Sequence, residues 1–397
     1  MIKHPDEKVE LLAPAGDIAK LRLALSYGAD AVYLGGGRFG LRAAAAINND
    51  FLKDAAGYAH GLGKKIYVTV NIFARNSDFD EIKEYAQYLE NVGVDAVIVS
   101  DLGVLRAVRE NTNLVIHVST QANVINKYAA EEYVKLGARR IILARECSLS
   151  EIREIAAHVK GKCDIEVFVH GAMCVSYSGR CLLSNYTTGR ESNYGECTQP
   201  CRWKYALMEE KRPGQYFPVE EDAHGTYIMN SKDLCLINHL KELQDAGITS
   251  FKIEGRTKSE YYVAAVVGAY RRALDGERFD YMKELDKVAH RQWTTGFVLG
   301  ENDHLYTETP APDSTRRVVA MCLGGNKVSL RNGFSIGDEL EILSPRAAHN
   351  KTFKVTGIKD GNLQEVAGAN KAGYDYFIEC PYTLNPDDFL RKTILKP

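Results

Sequence analysis

YGADAVYL at 27–34 decides the fold of this chain, because the same order of residues returns three times. VGVDAVIV at 92–99, LGARRIIL at 136–143 and AGITSFKI at 246–253 each place a glycine, a short turn and an apolar run in succession. Glycine ends a helix by taking the left-handed conformation that other residues resist. A short apolar run after such a stop reads as a strand buried on both faces.

Working outward, the same pattern predicts strands at 10–13, 31–34, 66–70, 96–99, 114–118, 141–144, 165–169 and 250–253. Amphipathic stretches at 18–27, 51–61, 79–92, 102–110, 127–136 and 149–159 predict helices between them. Eight strands alternating with helices in about 250 residues predict a parallel (β/α)8 TIM-like barrel. A doubly wound open sheet uses the same alternation, but that many units favour closure. The expected division is a barrel over 1–300, a linker over 301–316 marked by Pro310 and Pro312, and a tail over 317–397. In the tail, VVAMCL, KVSL, DELEIL, TFKVTGI and YFIEC read as short strands of a small β-barrel.

The seventh unit is abnormal. After Ile165–Val169 come His170 and a cysteine-rich loop, 170–235, before a helix expected over 233–246. An insertion of about sixty residues is too long to be a plain connection. It leaves the C-terminal end of a strand, where barrels place their chemistry.

Composition bounds the rest. The chain has 397 residues, 45% hydrophobic and 26% charged, with a formal net charge of −2. That balance carries no global field for nucleic acid, so an RNA site would be a local patch. The polar start, MIKHPDEKVE, and the lack of a long apolar run predict a cytoplasmic protein without a membrane span. Thiols stay reduced there, so clustered cysteines read as ligating or catalytic. Cys147, Cys163, Cys322 and Cys380 are scattered and read mostly as small buried residues.

Cys174-x6-Cys181-x15-Cys197-x3-Cys201, followed by Cys235, fits neither a zinc ribbon nor a ferredoxin run. The spacing says thiolate site. An iron–sulfur cluster tolerates irregular loop spacing, whereas structural zinc, buried thiols or a single nucleophilic cysteine near His170 are the competing readings. A nucleophile explains one cysteine of five.

The run IEVFVHGAMCVSYSGRCLLSNY, then GECTQPCRW, resembles peptidase family U32, the collagenase-like proteins. The likeness extends from LLAPAG through FKIEGRTKS, and the β-rich tail resembles the family's appended C-terminal domain. The resemblance implies an oxygen-independent hydroxylase with a [4Fe–4S] cluster. It implies ligands Cys174, Cys181, Cys197 and Cys235, with Cys201 as the alternative. The branch bearing the tail resembles prephenate-dependent enzymes that form 5-hydroxyuridine at the wobble position of tRNA. Other branches hydroxylate ribosomal RNA or a quinone precursor, and some relatives work in pairs, so a homo- or hetero-oligomer is within the expectation. A collagenase-like endopeptidase and a non-catalytic metal-binding scaffold are the other classes. No HExxH or GxSxG motif supports the endopeptidase.

Strand ends supply the remaining site residues. Asn71 and Gln121 are expected to bind substrate or simply to cap turns. Arg145 is expected to bind substrate or, with Glu146, to form an ion pair that braces the rim. Glu254 and Arg256, expected as catalytic residues or as a structural bridge at the barrel mouth, flank Gly255 after the eighth strand, where Arg256's planar fork would grip a carboxylate or phosphate. His170 is a proton-transfer or packing residue. Tyr177 and Tyr186 would stack on a base or, more plainly, shield the cysteines from water. Gly35-Gly36-Gly37 lacks a phosphate-loop pattern, although Arg38 and Arg42 nearby are anion contacts to consider. Arg202, Lys204, Lys211 and Arg212 form one basic patch, and Arg316, Arg317, Lys327 and Arg331 another.

Overall fold

The structure, a computed structural model, describes residues 8–40, 46–47, 51–174, 176–203, 221–222, 225–226, 231–300 and 314–394. The expected linker prolines, the side chains of Arg38 and Arg202, and Arg42, Lys204, Lys211 and Arg212 lie outside the described residues.

Eight parallel strands close into a barrel. They are β1 (Glu10–Ala15), β2 (Ala31–Gly36), β3 (Lys65–Val70), β4 (Ala96–Val99), β5 (Val115–Val118), β6 (Arg140–Ile142), β7 (Asp164–Ala172) and β8 (Ser250–Ile253). Each pairs with the next, and β8 pairs with both β7 and β1. The repeated phrase explains the closure. Gly28, Gly93, Gly137 and Gly247 all hold positive φ. Two residues later, the amides of Asp30, Asp95, Arg139 and Thr249 donate to carbonyls of the preceding strand, at Leu11, Ile66, Ile116 and Ile165. One local device thus ties every even strand to its neighbour at the same level.

Three of the helices between strands start on side-chain caps that the sequence spells out. Asp101 caps α4 (Leu102–Asn111) and Asn126 caps α5 (Lys127–Lys135). Ser148 and Glu151 form a reciprocal capping box on α6 (Leu149–Val159). The others are α1 (Ile18–Ser26), α2 (Leu52–Gly61), α3 (Phe79–Asn91), α7 (Leu240–Asp245) and α8 (Glu260–Leu274). The helix expected over 233–246 is only half helix. Asp233–Cys235 is a strand antiparallel to the far end of β7. β7 runs nine residues, past the barrel's rim, and its overhang offers an unpaired edge that this segment covers.

The barrel interior is charged. Arg140 is hydrogen-bonded to Glu10 and lies 3.2 Å from Glu166, which also meets Lys252 at 3.2 Å. The Tyr67 hydroxyl donates to Glu10 at 2.9 Å, and the Ser250 hydroxyl donates to Glu166 at 3.0 Å. Buried charges persist only when paired, so these residues form one interlocked layer.

The chain forms two compact units. One comprises Met1–Leu21, Ala29–Lys258 and Arg291–Pro312, and the other Arg22–Gly28, Ser259–His290 and Asp313–Pro397. The second unit contains a seven-stranded antiparallel sheet. Its order is Thr352–Lys354, Glu339–Leu343, Phe389–Thr393, Arg316–Gly324, Lys327–Leu330, Asp375–Ile378 and Ile358–Lys359. Val319, Val328, Leu340, Ile342, Phe353 and Leu390 pack its core. Of the tail's basic patch, Arg316 pairs with Glu341, Lys327 with Asp375 and Arg331 with Glu260, so most of that charge is neutralised locally. No helix among the described residues is long and apolar enough to cross a membrane.

Candidate active site at the barrel mouth

One cavity of about 200 Å3 opens at the C-terminal ends of the strands. Tyr33 of β2, Thr69 of β3, Ile98 of β4, Phe168 of β7 and Lys252 of β8 form its floor. Asn71, Gln121, Arg145, Glu146, Glu254 and Arg256, all just beyond strand ends, form its rim. The cysteine loop closes the remaining side with Cys174, Tyr177, Cys181, Cys197 and Cys201. Six of the residues expected from strand ends and loop, Asn71, Gln121, Arg145, Tyr177, Glu254 and Arg256, therefore meet at one place.

Five of the six rim side chains are held by hydrogen bonds. Asn71 donates to the Ser119 hydroxyl at 3.1 Å, while its carbonyl accepts from Ser100. Arg256 donates to Thr69 at 3.1 Å and is buried. Glu254 accepts from the Tyr33 hydroxyl at 3.2 Å. The expected Arg145–Glu146 pair does not form. Arg145 instead donates to the Ala172 carbonyl and stacks 4.0 Å from the Phe168 ring, and Glu146 accepts the Ser178 amide and hydroxyl. Both side chains are thus used to seat the loop, and their opposite charges turn to separate partners.

The loop is fastened at several more points. Gly179 passes so close to Gln121 that an added Cβ would lie 2.1 Å from its carbonyl oxygen. The Tyr194 hydroxyl donates to buried Asp78 at 2.8 Å, and Arg75 holds Glu191. Ser192 and Asn193 both donate to the carbonyl of Cys181.

Lys252 is the residue sequence reading missed. Its ammonium lies 4.3 Å from the Tyr33 ring centre and 5.4 Å from that of Phe168, above Glu166. Burial lowers its pKa, against the opposing pull of Glu166 and Glu254. A lysine inside an otherwise apolar strand, SFKI, was the available signal. With Arg256 and Arg145 it gives the cavity three cations set among aromatic rings, suited to a planar anion.

Cys174, Cys181, Cys197 and Cys201 all line the cavity. Packing around the Cys174 sulfur raises its pKa even though the residue reaches solvent; Arg145 offsets this, and Cys181 and Cys197 add to it. The Ser184 hydroxyl lies 3.9 Å from the Cys197 sulfur. Cys235 is buried in the strand beside β7, paired with His170, and is not among the lining residues. Among the described residues no three His, Cys, Asp or Glu side chains are drawn together as a finished metal site. The donor set nonetheless fits a thiophilic group in kind: soft sulfur ligands around one cavity.

His170 is elsewhere too. Its ring is buried 5.2 Å from that of Trp293, off the cavity, because the strand from Asp233 to Cys235 covers that part of β7. Tyr186 is 89% exposed and is not among the residues lining the cavity. Cys147, Cys163 and Cys322 are buried, and burial pushes the first two thiols up to about 12.

A closed βα barrel whose mouth is walled by a thiol-rich loop defines the class. The family model for peptidase family U32 matches residues 16–308, and that for the U32 C-terminal domain matches 319–391. The chain belongs to peptidase family U32. It is 37% identical to the tRNA hydroxylation protein P of Escherichia coli K12, over 95% of each chain. It is 39% identical to the tRNA hydroxylation protein P1 of Bacillus subtilis 168, over 91% of this chain and 90% of that one. A 23S rRNA 5-hydroxycytidine synthase of Escherichia coli K12 is 36% identical over 73% of this chain and 45% of its own length.

Proposed function

We propose that this chain is a tRNA-modifying hydroxylase that forms 5-hydroxyuridine at the wobble position, without oxygen and with prephenate as co-substrate. The observation that carries the reading is the convergence of four cysteines, three buried or half-buried cations and two aromatic rings on one barrel cavity. The names of the full-length relatives support the RNA substrate, and the reading places the protein in the cytoplasm, where thiols stay reduced.

Cys174, Cys181 and Cys197 would hold a [4Fe–4S] cluster, with Cys235 as fourth ligand by family resemblance and Cys201 by its place on the cavity wall. Bound there, the cluster would supply the electron transfer that hydroxylating a pyrimidine carbon demands and side chains cannot provide. The chain's own residues do the rest. Lys252, Arg256 and Arg145 attract an anionic co-substrate; Asn71 and Gln121 offer amides to a base edge; the cysteine loop restricts water.

A peptidase would need a base beside its nucleophile. Among the described residues no histidine lines the cavity.

Nucleoside analysis of tRNA from a deletion strain tests the reading. The hydroxylated uridine should vanish and return with wild-type protein but not with Cys174→Ala. Unchanged tRNA, with altered ribosomal RNA or quinone instead, rejects it. Iron content and visible absorbance of anaerobically purified Cys201→Ser and Cys235→Ser identify the fourth ligand, since only loss of the true one empties the site; zinc without iron rejects the cluster.

A further inference from the structure

We infer that the exposed aromatic rim of the cysteine loop is a stacking platform for the unpaired nucleotides that flank the target base. The inference rests on the RNA-modifying reading and says how the substrate is held outside the cavity.

Four large side chains of this one loop stand in solvent: Tyr186 is 89% exposed, Leu182 73%, Tyr177 58% and Trp203 43%. Tyr177 also lines the cavity, so the exposed surface is continuous with the mouth. Leu182 and Tyr186 are four residues apart, and the Tyr186 amide bonds to the Leu182 carbonyl, which puts both on one face of the short helix Leu183–Thr188. That helix packs against the turns Ser192–Tyr194 and Pro200–Arg202, the latter leading directly to Trp203. Four large exposed apolar side chains in one short stretch of chain mark a binding surface rather than chance.

Charge selects the partner. Arg180 and Arg190 are exposed and have no carboxylate partner among the described residues. Within residues 176–203 the two carboxylates are both engaged, Glu191 by Arg75 and Glu196 by the Glu191 amide. Flat rings and exposed guanidiniums on the same stretch of chain match the alternation of bases and phosphates in a single strand. The cavity, at about 200 Å3, has no room for a chain of nucleotides. A polynucleotide must therefore stay outside it, across this rim.

The test measures binding of the full chain to an RNA hairpin carrying a fluorescent adenine analogue in its loop. Tyr186→Ala should weaken binding by about five- to 150-fold, since a stacked base contributes about 1–3 kcal/mol, and should lose the stacking quench. Tyr186→Phe should bind and quench like wild type. Unchanged affinity in Tyr186→Ala overturns the platform, as does equal weakening by both variants, which would assign the contact to the hydroxyl. Unchanged RNA affinity with altered self-association would give the face to a protein partner and also overturns it. Hydroxynucleoside loss in the deletion strain is read separately, so normal binding by Tyr186→Ala alongside that loss rejects the platform and leaves the activity standing.

Discussion

Lys252 shows what one side chain can carry. Its ammonium is held between Glu166 and the rings of Tyr33 and Phe168, with almost no solvent to screen it. Removing one member of a buried pair strands the other, at a typical cost of about 3–5 kcal/mol. Here Arg140 still reaches Glu166, so Lys252→Met is expected near the lower end, about 3 kcal/mol, in urea unfolding. The double variant with Glu166→Gln should recover part of that loss, and strictly additive losses would show that the two do not interact. Gly179 carries a different load. Its φ of +72° and its contact with Gln121 exclude a side chain. Gly179→Ala is expected to unseat the cysteine loop, seen as faster proteolysis within 176–203, with at most about 3 kcal/mol lost from the fold. Both residues were legible as types and not as roles. The sequence shows a charge in an apolar strand and a glycine among polar residues; what each opposes lies far away in the chain.

Elements followed local rules wherever local rules sufficed. α6 begins and ends where its capping box and apolar spacing put it, and β4 and β8 match their apolar runs. The failures occur where pairing across the fold decides. Asp233–Cys235 has helical neighbours in sequence but becomes strand because β7 overhangs the rim and its edge needs a partner. The strand Phe389–Thr393, FLRKT, looks like surface, yet it lies between Arg316–Gly324 and Glu339–Leu343 with Arg391 fully buried. Leu234 pairs with Gly171 in the added edge. Leu234→Pro removes an amide and restricts the backbone there. The expected result is a loop that is cut faster by protease around 231–236 and a His170 side chain that becomes accessible to chemical modification. Unchanged accessibility would mean that the strand does not cover His170.

At the scale of the molecule, each unit is built around an arginine buried between carboxylates: Arg140 with Glu10 and Glu166, and Arg391 with Glu284 and Glu341. Composition could not reveal this, because a net charge of −2 says nothing about which charges are inside. The consequence is acid sensitivity in both units. Burial alone would raise the Glu284 carboxyl, but Arg391 and Lys287 outweigh it and hold it at about 2, below its usual 4.5. Burial lowers His349 to about 4 from 6.5, with Glu284 opposing, and burial places His117 of the barrel well below 6.5. All three folded values lie below the unfolded ones. The folded state therefore takes up protons later than the unfolded chain as pH falls, and stability is lost in that direction. Above 6.5 the contribution is complete; between 6.5 and 4 His349 costs up to about 1.4 kcal/mol per pH unit, His117 adds a loss in the same direction below 6.5, and Glu284 adds its loss from about 4.5 toward 2. Thermal midpoints should be level above neutrality and fall from pH 6.5 downward. His349→Gln should flatten the fall between 6.5 and 4 in the second unit's transition. His117→Gln should lessen the fall below 6.5 in the barrel's transition. A midpoint that stays constant to pH 4 would mean that neither histidine is held neutral by burial, and the buried-charge account of both cores would fail with it.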